Sequence, residues 1–116
     1  MKLKTQDLTG PALDWAVAKC EAGKPVGSFL DGVVPHPSYN NFHPSTIWPQ
    51  GGPIIEREGM NLNFMQFDSP QYWAAHIRHT DKVRFGALGP TPLIAAMRCY
   101  VASKLGDEVE IPEELL

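Results

Sequence analysis

A stretch of fourteen residues, from Ser45 to Glu58, holds the side chains best suited to binding a small molecule. It begins with two hydroxyl residues and a tryptophan, continues through a Gly-Gly step, and ends in a Glu-Arg-Glu cluster. Glycine lets a backbone approach a ligand closely, and tryptophan offers a flat face for stacking. Arginine offers a planar fork that fits a phosphate or carboxylate. We therefore predict that this stretch forms one wall of a small-molecule site.

The predicted site also draws on residues outside this stretch. Trp73 is expected to add a stacking face. Thr91, just before a later predicted helix, is expected to add a polar contact. The predicted ligand-binding set is Ser45, Thr46, Trp48, Gln50, Gly51, Gly52, Glu56, Arg57, Trp73 and Thr91. The alternative is a tight turn that leads into a strand, with Glu56 to Glu58 as solvated surface. The stretch is not a P-loop, because the Gly-Lys-Ser/Thr ending is missing, and we expect a strand after it rather than the helix of a dinucleotide site.

Metal chemistry has a weak basis in the histidines. His76 and His79 lie three residues apart, which places them on one face of a predicted helix, while His36 and His43 lie in a proline-rich segment. Zinc would need further ligands, and no Cys-x-x-Cys or His-Glu-x-x-His spacing is present. We predict no metal and no cofactor.

Nucleophilic and acid–base catalysis are also weakly supported. Cys20 and Cys99 lie in or beside the apolar stripes of helices, where a buried, unreactive thiol is the usual role. Glu56 and Glu58 would share a face if they lay on a strand, and could then act as an acid–base pair. A charged strand edge explains them equally well. We therefore assign no catalytic residue.

Composition indicates one small globular domain. The 116 residues are 43% hydrophobic and 20% charged. The net charge of −3 is concentrated in the last ten residues, which hold five acids and no base, so ten bases and eight acids remain in residues 1–106. This balance tolerates an anionic ligand but provides no basic stripe for nucleic acid. No segment resembles a membrane span or a secretory signal, which favours a cytoplasmic protein with reduced cysteines.

Two main helices are marked by their start and stop residues. Thr9 and Pro11 begin the first, Gly23 ends it, and an apolar stripe of Leu13, Ala16, Val17 and Cys20 lies between. Thr91 and Pro92 begin the last helix, which Gly106 ends. Ser69 and Pro70 suggest a short third helix that ends near His79.

Strands are predicted between these helices, over residues 26–30, 33–34, 53–57, 62–67 and 82–86, with a loop over 35–44. The order predicts an α+β fold: a single small domain over residues 1–106, with a small, mostly antiparallel sheet packed with two main helices and one short helix. The acidic tail, residues 107–116, either packs through Ile111, Leu115 and Leu116 or is mobile. A homo-oligomer is expected, with Trp15 or Tyr100 at its interface.

Three stretches of the sequence resemble one known family. They are Lys4 to Ala18, Pro44 to Glu58, and Gly89 to Tyr100 with the Leu-Gly step and Glu-Leu tail that follow. In combination they are similar to the NinX family of phage proteins. The resemblance implies a phage or prophage origin and action inside a bacterium, but it implies no mechanism.

Together these observations predict a phage-encoded protein that binds a small anionic ligand without catalysis. The hypothesis is that it sequesters a nucleotide-derived host defence signal, as a molecular sponge. One alternative is a hydrolase that acts on nucleotides through Glu56, Glu58 and a histidine. The other is a protein-interaction factor for phage DNA metabolism.

Overall fold

The computed structural model describes residues 1–21, 42–66, 70–78 and 84–115. These residues form an α+β fold, as predicted, with three α-helices and two antiparallel sheets among them. In chain order the elements are β1 (Lys2–Lys4), α1 (Gly10–Glu21), α2 (Trp48–Glu58), β2 (Asn61–Met65), β3 (Tyr72–Arg78), β4 (Arg84–Gly89), α3 (Pro92–Leu105) and β5 (Glu108–Glu110). Short 3₁₀ turns lie at Thr5–Asp7 and Glu113–Leu115.

The larger sheet has the order β2-β3-β4. Trp73 in the central strand is paired with Phe64 on one side and Gly89 on the other. The smaller sheet pairs β1 with β5, so the two ends of the described chain meet. The Ile111 side chain that follows β5 is buried in the core. Of the two alternatives for the acidic tail, packing is therefore what the structure shows.

Helix α3 is the centre of the core. It begins as predicted, because Thr91 Oγ1 accepts a hydrogen bond from the Ile94 amide at 3.1 Å and Pro92 occupies the first turn. It packs against β3, β4, α1 and α2, so apolar residues surround it. Tyr100 is fully buried within it, which rules out the predicted place for this residue at an oligomer interface.

Helix α1 also follows the predicted pattern. Leu13, Ala16 and Val17 are buried, while Trp15 is half-buried at the flank of the core. The predicted end of this helix at Gly23, the candidate strands at 26–30 and 33–34, and most of the 35–44 loop lie outside the described residues.

The strand predicted over residues 53–57 is wrong, because these residues belong to α2. Gly51 and Ile54 are buried three residues apart, which is the spacing of a helix face. Burial of this face against the rest of the core outweighs the low helix propensity of the Gly-Gly-Pro segment. Gly59 then ends the helix in a left-handed conformation, with φ 64°.

The short helix predicted after Ser69-Pro70 is also wrong, because Tyr72–Arg78 is the central strand β3. Aromatic residues at 72 and 73 and Ile77 fit a helical spacing, but they fit the alternation of a strand equally well. Trp73, Ala75 and Ile77 face the core together. Ala74 and Ala75 lie on opposite faces of the strand. Because both are small and apolar, the alternation of apolar and polar residues that marks a strand is not visible in the sequence.

The two adjacent glycines of α2 are expected to respond oppositely to alanine. A Cβ on Gly51 would lie 2.4 Å from the Pro44 carbonyl oxygen and 2.7 Å from Leu93 Cδ2, whereas a Cβ on Gly52 would meet nothing closer than 3.9 Å. Gly52→Ala should raise the free energy of unfolding by about 0.5–1 kcal/mol through helix propensity. Gly51→Ala should lower it by about 1–3 kcal/mol through overpacking. Urea denaturation of both variants measures the difference, and equal effects would contradict this packing.

Candidate functional site

A cavity of about 220 Å³ lies between the start of α2 and the start of α3. Two chain segments more than forty residues apart form its walls. Most of the side chains that line it are apolar, and the polar ones are hydroxyls. The lining residues are Ser45, Thr46, Trp48, Thr91, Pro92, Leu93 and Ile94. Four members of the predicted ligand-binding set, Ser45, Thr46, Trp48 and Thr91, are thus brought together.

The α2 side of the cavity is held in place by a buried carboxylate on α1. Asp14 is only 3% exposed, and its Oδ1 accepts a hydrogen bond from the Ser45 amide at 2.9 Å. Its Oδ2 lies 3.5 Å from His43 Nδ1. Burial raises the pKa of Asp14, while the contacts to Ser45 and His43 oppose that rise. The segment that leads into α2 is therefore fixed to α1 by a buried carboxyl group rather than by apolar packing alone.

Trp48 and Thr91 offer different contacts to a molecule in the cavity. Trp48 is 51% exposed, so a large part of its ring is accessible for stacking. The Thr91 hydroxyl accepts a hydrogen bond from Ile94, and its own proton remains available to donate. Thr46 is exposed beside them and adds a second hydroxyl. The arrangement suits a flat apolar group that carries hydrogen-bonding atoms at its rim.

Arg57 has intramolecular partners and does not line the cavity. Its Nη1 and Nη2 donate to the two carboxylate oxygens of Glu21 at 2.9 and 2.6 Å, and its Nε donates to Glu58 at 3.0 Å. Nη2 also donates to the Tyr100 hydroxyl at 3.1 Å, and that hydroxyl in turn donates to Glu21. Four of its five N–H groups are therefore occupied, which leaves little of the fork for a phosphate.

This Glu21–Arg57–Tyr100 cluster behaves as one electrostatic unit. Glu21 is 2% exposed, so its carboxylate depends on the guanidinium for charge compensation. The bond to Glu21 raises the pKa of Arg57, and burial raises the pKa of Tyr100, so the guanidinium stays charged and the phenol stays protonated. Arg57 also lies over the Tyr100 ring, with Cζ 5.6 Å from its centroid. The cluster joins the ends of α1 and α2 to the middle of α3.

The remaining predicted ligand-binding residues lie apart from the cavity lining or pack within the protein. Gln50 accepts a hydrogen bond from the His43 amide, and Gly51 is buried under Pro44 and Leu93. Gly52 is half-buried near Trp48, and Glu56 is exposed on α2. Trp73 packs in the sheet, with its ring centroid 5.1 Å from that of Phe64.

The geometry gives little to the catalytic alternatives. Residues two apart on a helix do not share a face, so Glu56 and Glu58 are not the coupled pair that a strand would have formed. Glu58 instead contacts Arg57 and, at 3.8 Å, Lys104 Nζ. Neither cysteine forms a disulfide, and burial raises the pKa of Cys99 to about 11, which disfavours the reactive thiolate.

No cluster of metal-binding side chains occurs among the residues that the structure describes. His76 lies on strand β3 rather than on a helix, so the helical spacing that suggested a metal site does not apply to it. His36 and His79 lie outside the described residues.

Three residues that organise the site were not anticipated: Asp14, Glu21 and Tyr100. A signal for two of them is present in the sequence. Asp14 and Glu21 are the only acids within α1, and they lie seven residues apart, two helical turns on one face. Two acids on one face of an otherwise apolar helix indicate polar partners from another element.

Comparison with known proteins places the chain in a described family. The family model described as "Bacteriophage P22, NinX" matches residues 4–104. A search of curated proteins finds no significant match. In the described parts of the chain, every helix is too short or too polar to cross a bilayer.

Arg57→Ala is expected to destabilise the fold by about 3 kcal/mol, because it leaves the buried Glu21 carboxylate without its partner. Adding Glu21→Gln to that variant should restore part of the loss by removing the unpaired charge. Glu56→Ala, one residue earlier on the exposed side of α2, is the matched control and should change stability by less than about 0.5 kcal/mol. Chemical denaturation measures all three. If Arg57→Ala were as stable as Glu56→Ala, the Glu21–Arg57–Tyr100 cluster would not contribute to the stability of the fold.

Asp14 should give the protein a characteristic dependence on pH. Because the pKa of Asp14 is raised above 3.8 in the folded state, protonation favours folding. The stability that this proton provides is complete below the unfolded-state pKa and is lost as the pH rises through the folded-state pKa. Asp14→Asn removes this loss, so its free energy of unfolding relative to wild type should increase from about pH 4 to pH 7. The exposed Asp107→Asn variant serves as the control, and parallel curves for Asp14→Asn and wild type would contradict the assignment.

Proposed function

Since the chain belongs to the NinX family of bacteriophage proteins, we propose that it binds a small anionic, nucleotide-derived ligand and sequesters it without catalysis. The observation that carries the proposal is the convergence of Ser45, Thr46, Trp48 and Thr91 on one cavity. Together they supply three hydroxyls and one aromatic face, and two separate chain segments contribute them. In a bacterium infected by a phage, sequestration of a host signalling nucleotide would protect the phage.

The size of the cavity supports a ligand that enters only in part. Its volume of about 220 Å³ lies below the roughly 300–1,000 Å³ of typical small-molecule pockets. A flat ring such as a nucleobase would be the part that enters, between Trp48 and the apolar start of α3. The anionic part would then remain at the mouth of the cavity, in contact with solvent.

The surroundings of the mouth are compatible with negative charge. The starts of α2 and α3 both border the cavity, and the amino end of a helix carries partial positive charge. Pro49 and Pro92 each remove one amide donor from these ends, so we assign orientation to the Thr46 and Thr91 hydroxyls. Arg57 has no role in this proposal, because its N–H groups already donate hydrogen bonds to Glu21 and Tyr100.

No specific observation in the described residues favours either alternative function. The acid–base pair that a nucleotide hydrolase would require is separated by the helical geometry of α2. For an interaction factor in phage DNA metabolism, the described surface offers a few large exposed apolar side chains, among them Trp48 and Phe64, but no feature that specifies a DNA-metabolism partner. In the proposed function, the protein acts in the host cytoplasm as a homo-oligomer, and it releases its ligand chemically unchanged.

Native mass spectrometry of the protein purified from infected bacteria tests the proposal. A bound mass that appears under native conditions, and is released intact with a phosphate-containing composition on denaturation, is the expected result. Trp48→Ala should lower the occupancy by about ten-fold through loss of stacking, while Trp48→Phe retains most of it. Because Trp48 is half exposed, both variants should fold as wild type does.

Two outcomes would contradict the proposal. One is ligand-free protein from infected cells. The other is a released product whose mass differs from that of the nucleotide supplied, which would indicate turnover.

A further inference from the structure

The two outer edges of the three-stranded sheet differ in how they are closed. On β4, the Leu88 amide donates to Gln6 Oε1 at 3.4 Å. The Leu88 carbonyl accepts from Gln6 Nε2 at 2.6 Å and from Arg98 Nη1 at 2.8 Å. Side chains from elsewhere in the chain thus satisfy the outward-facing backbone groups of Leu88, which blocks pairing with a further strand at this position.

Within the part of the chain that the structure describes, no side chain is shown to cover the outer edge of β2 in this way. Over residues 1–21, 42–66, 70–78 and 84–115, no strand pairs with it. Its sequence, Asn61 to Met65, contains no charge and no proline, the features that usually prevent edge-to-edge pairing. Asn61, Asn63 and Phe64 are exposed, and Phe64 is 43% exposed despite its size.

The register of the sheet shows which backbone groups point outward from β2. Because the polar groups of Leu88 point away from β3, Leu88 and Ala74 form a non-hydrogen-bonded pair. The groups of Ala74 therefore point toward β2 and bond Asn63, which lies opposite. Antiparallel ladders alternate, so the N–H and C=O groups of Leu62 and Phe64 face the open edge.

We propose that this edge pairs with the same edge of a second copy of the chain, antiparallel, about a two-fold axis at Asn63. In this register Leu62 lies opposite Phe64 of the second copy, and Phe64 lies opposite its Leu62. Both apolar residues stand on the core-facing side, where they extend the Phe64–Trp73 contact. The two sheets then form one sheet of six strands, joined by about four backbone hydrogen bonds.

The strand is complementary to itself, which is why a second copy is the occupant. In the three central pairs Leu62 lies opposite Phe64 and Asn63 lies opposite Asn63, while Asn61 lies opposite Met65 at each end, and no charge is present to repel across the axis. The proposal specifies the interface of the homo-oligomer included in the proposed function, but it needs no ligand.

Charge substitutions at Asn63 test the two-fold axis. Its exposed side chain would meet the same residue of the second copy, so Asn63→Lys alone and Asn63→Asp alone should each weaken the dimer by about five-fold or more. An equal mixture of the two variants should restore dimers, because opposite charges then face each other. Leu88→Lys, an exposed change on the closed edge of the same sheet, is the control and should leave the dimer unchanged.

Light scattering coupled to size exclusion, over a concentration series of ligand-free protein, is the measurement. Wild type should approach twice the chain mass of 12.8 kDa as the concentration rises. Circular dichroism confirms that each variant is folded. A wild type that stays monomeric, or a dimer that Asn63→Lys leaves unchanged, would overturn the proposal. Neither result bears on ligand binding, which the mass spectrometry tests independently.

Discussion

The ion pair between Glu21 and Arg57 is the constraint on which the arrangement of the three helices depends. A carboxylate that is 2% exposed is stable as an anion only with a partner of fixed geometry, and the bidentate guanidinium supplies it. Tyr100 contributes a third hydrogen-bonding group from the centre of the core. One buried charge thus fixes the relative positions of α1, α2 and α3.

The other acid of α1, Asp14, extends the fixing of the helices to the candidate site. Asp14 holds the Ser45 amide at the start of α2, while Glu21 holds Arg57 at its other end. Two carboxylates on one face of α1 therefore fix α2 at both ends. Trp48 is on the first turn of α2 and Thr91 precedes α3. The contacts that fix these helices therefore also fix the walls of the cavity between them. A preorganised pocket favours tight binding of a small ligand, because little conformational entropy is lost on association.

Much of the fold was predictable from local signals. Thr91 with Pro92, the apolar stripe of α1 and the alternation in β2 each specify an element through backbone chemistry of a few adjacent residues. The errors fell where tertiary packing decides. The Gly-Gly-Pro segment is helical because Gly51 fits under Pro44, and that contact leaves no trace in local sequence.

The same limit applies to the site. Hydroxyl and aromatic residues near a helix start are recognisable as candidate binding chemistry, so the sequence is sufficient to nominate Trp48 and Thr91, which the structure places at one cavity. The sequence analysis assigns Arg57 to the ligand, but the guanidinium fork that suits a phosphate suits a buried glutamate equally well. Only the fold brings Glu21 to it.

A crystal structure of the protein purified from infected bacteria tests the central claim most directly. We predict density for a ligand whose ring lies between Trp48 and the start of α3, with Arg57 still bonded to Glu21 and Tyr100. Density beside Arg57, with Glu21 displaced from the guanidinium, would contradict this account and return the binding role to the arginine.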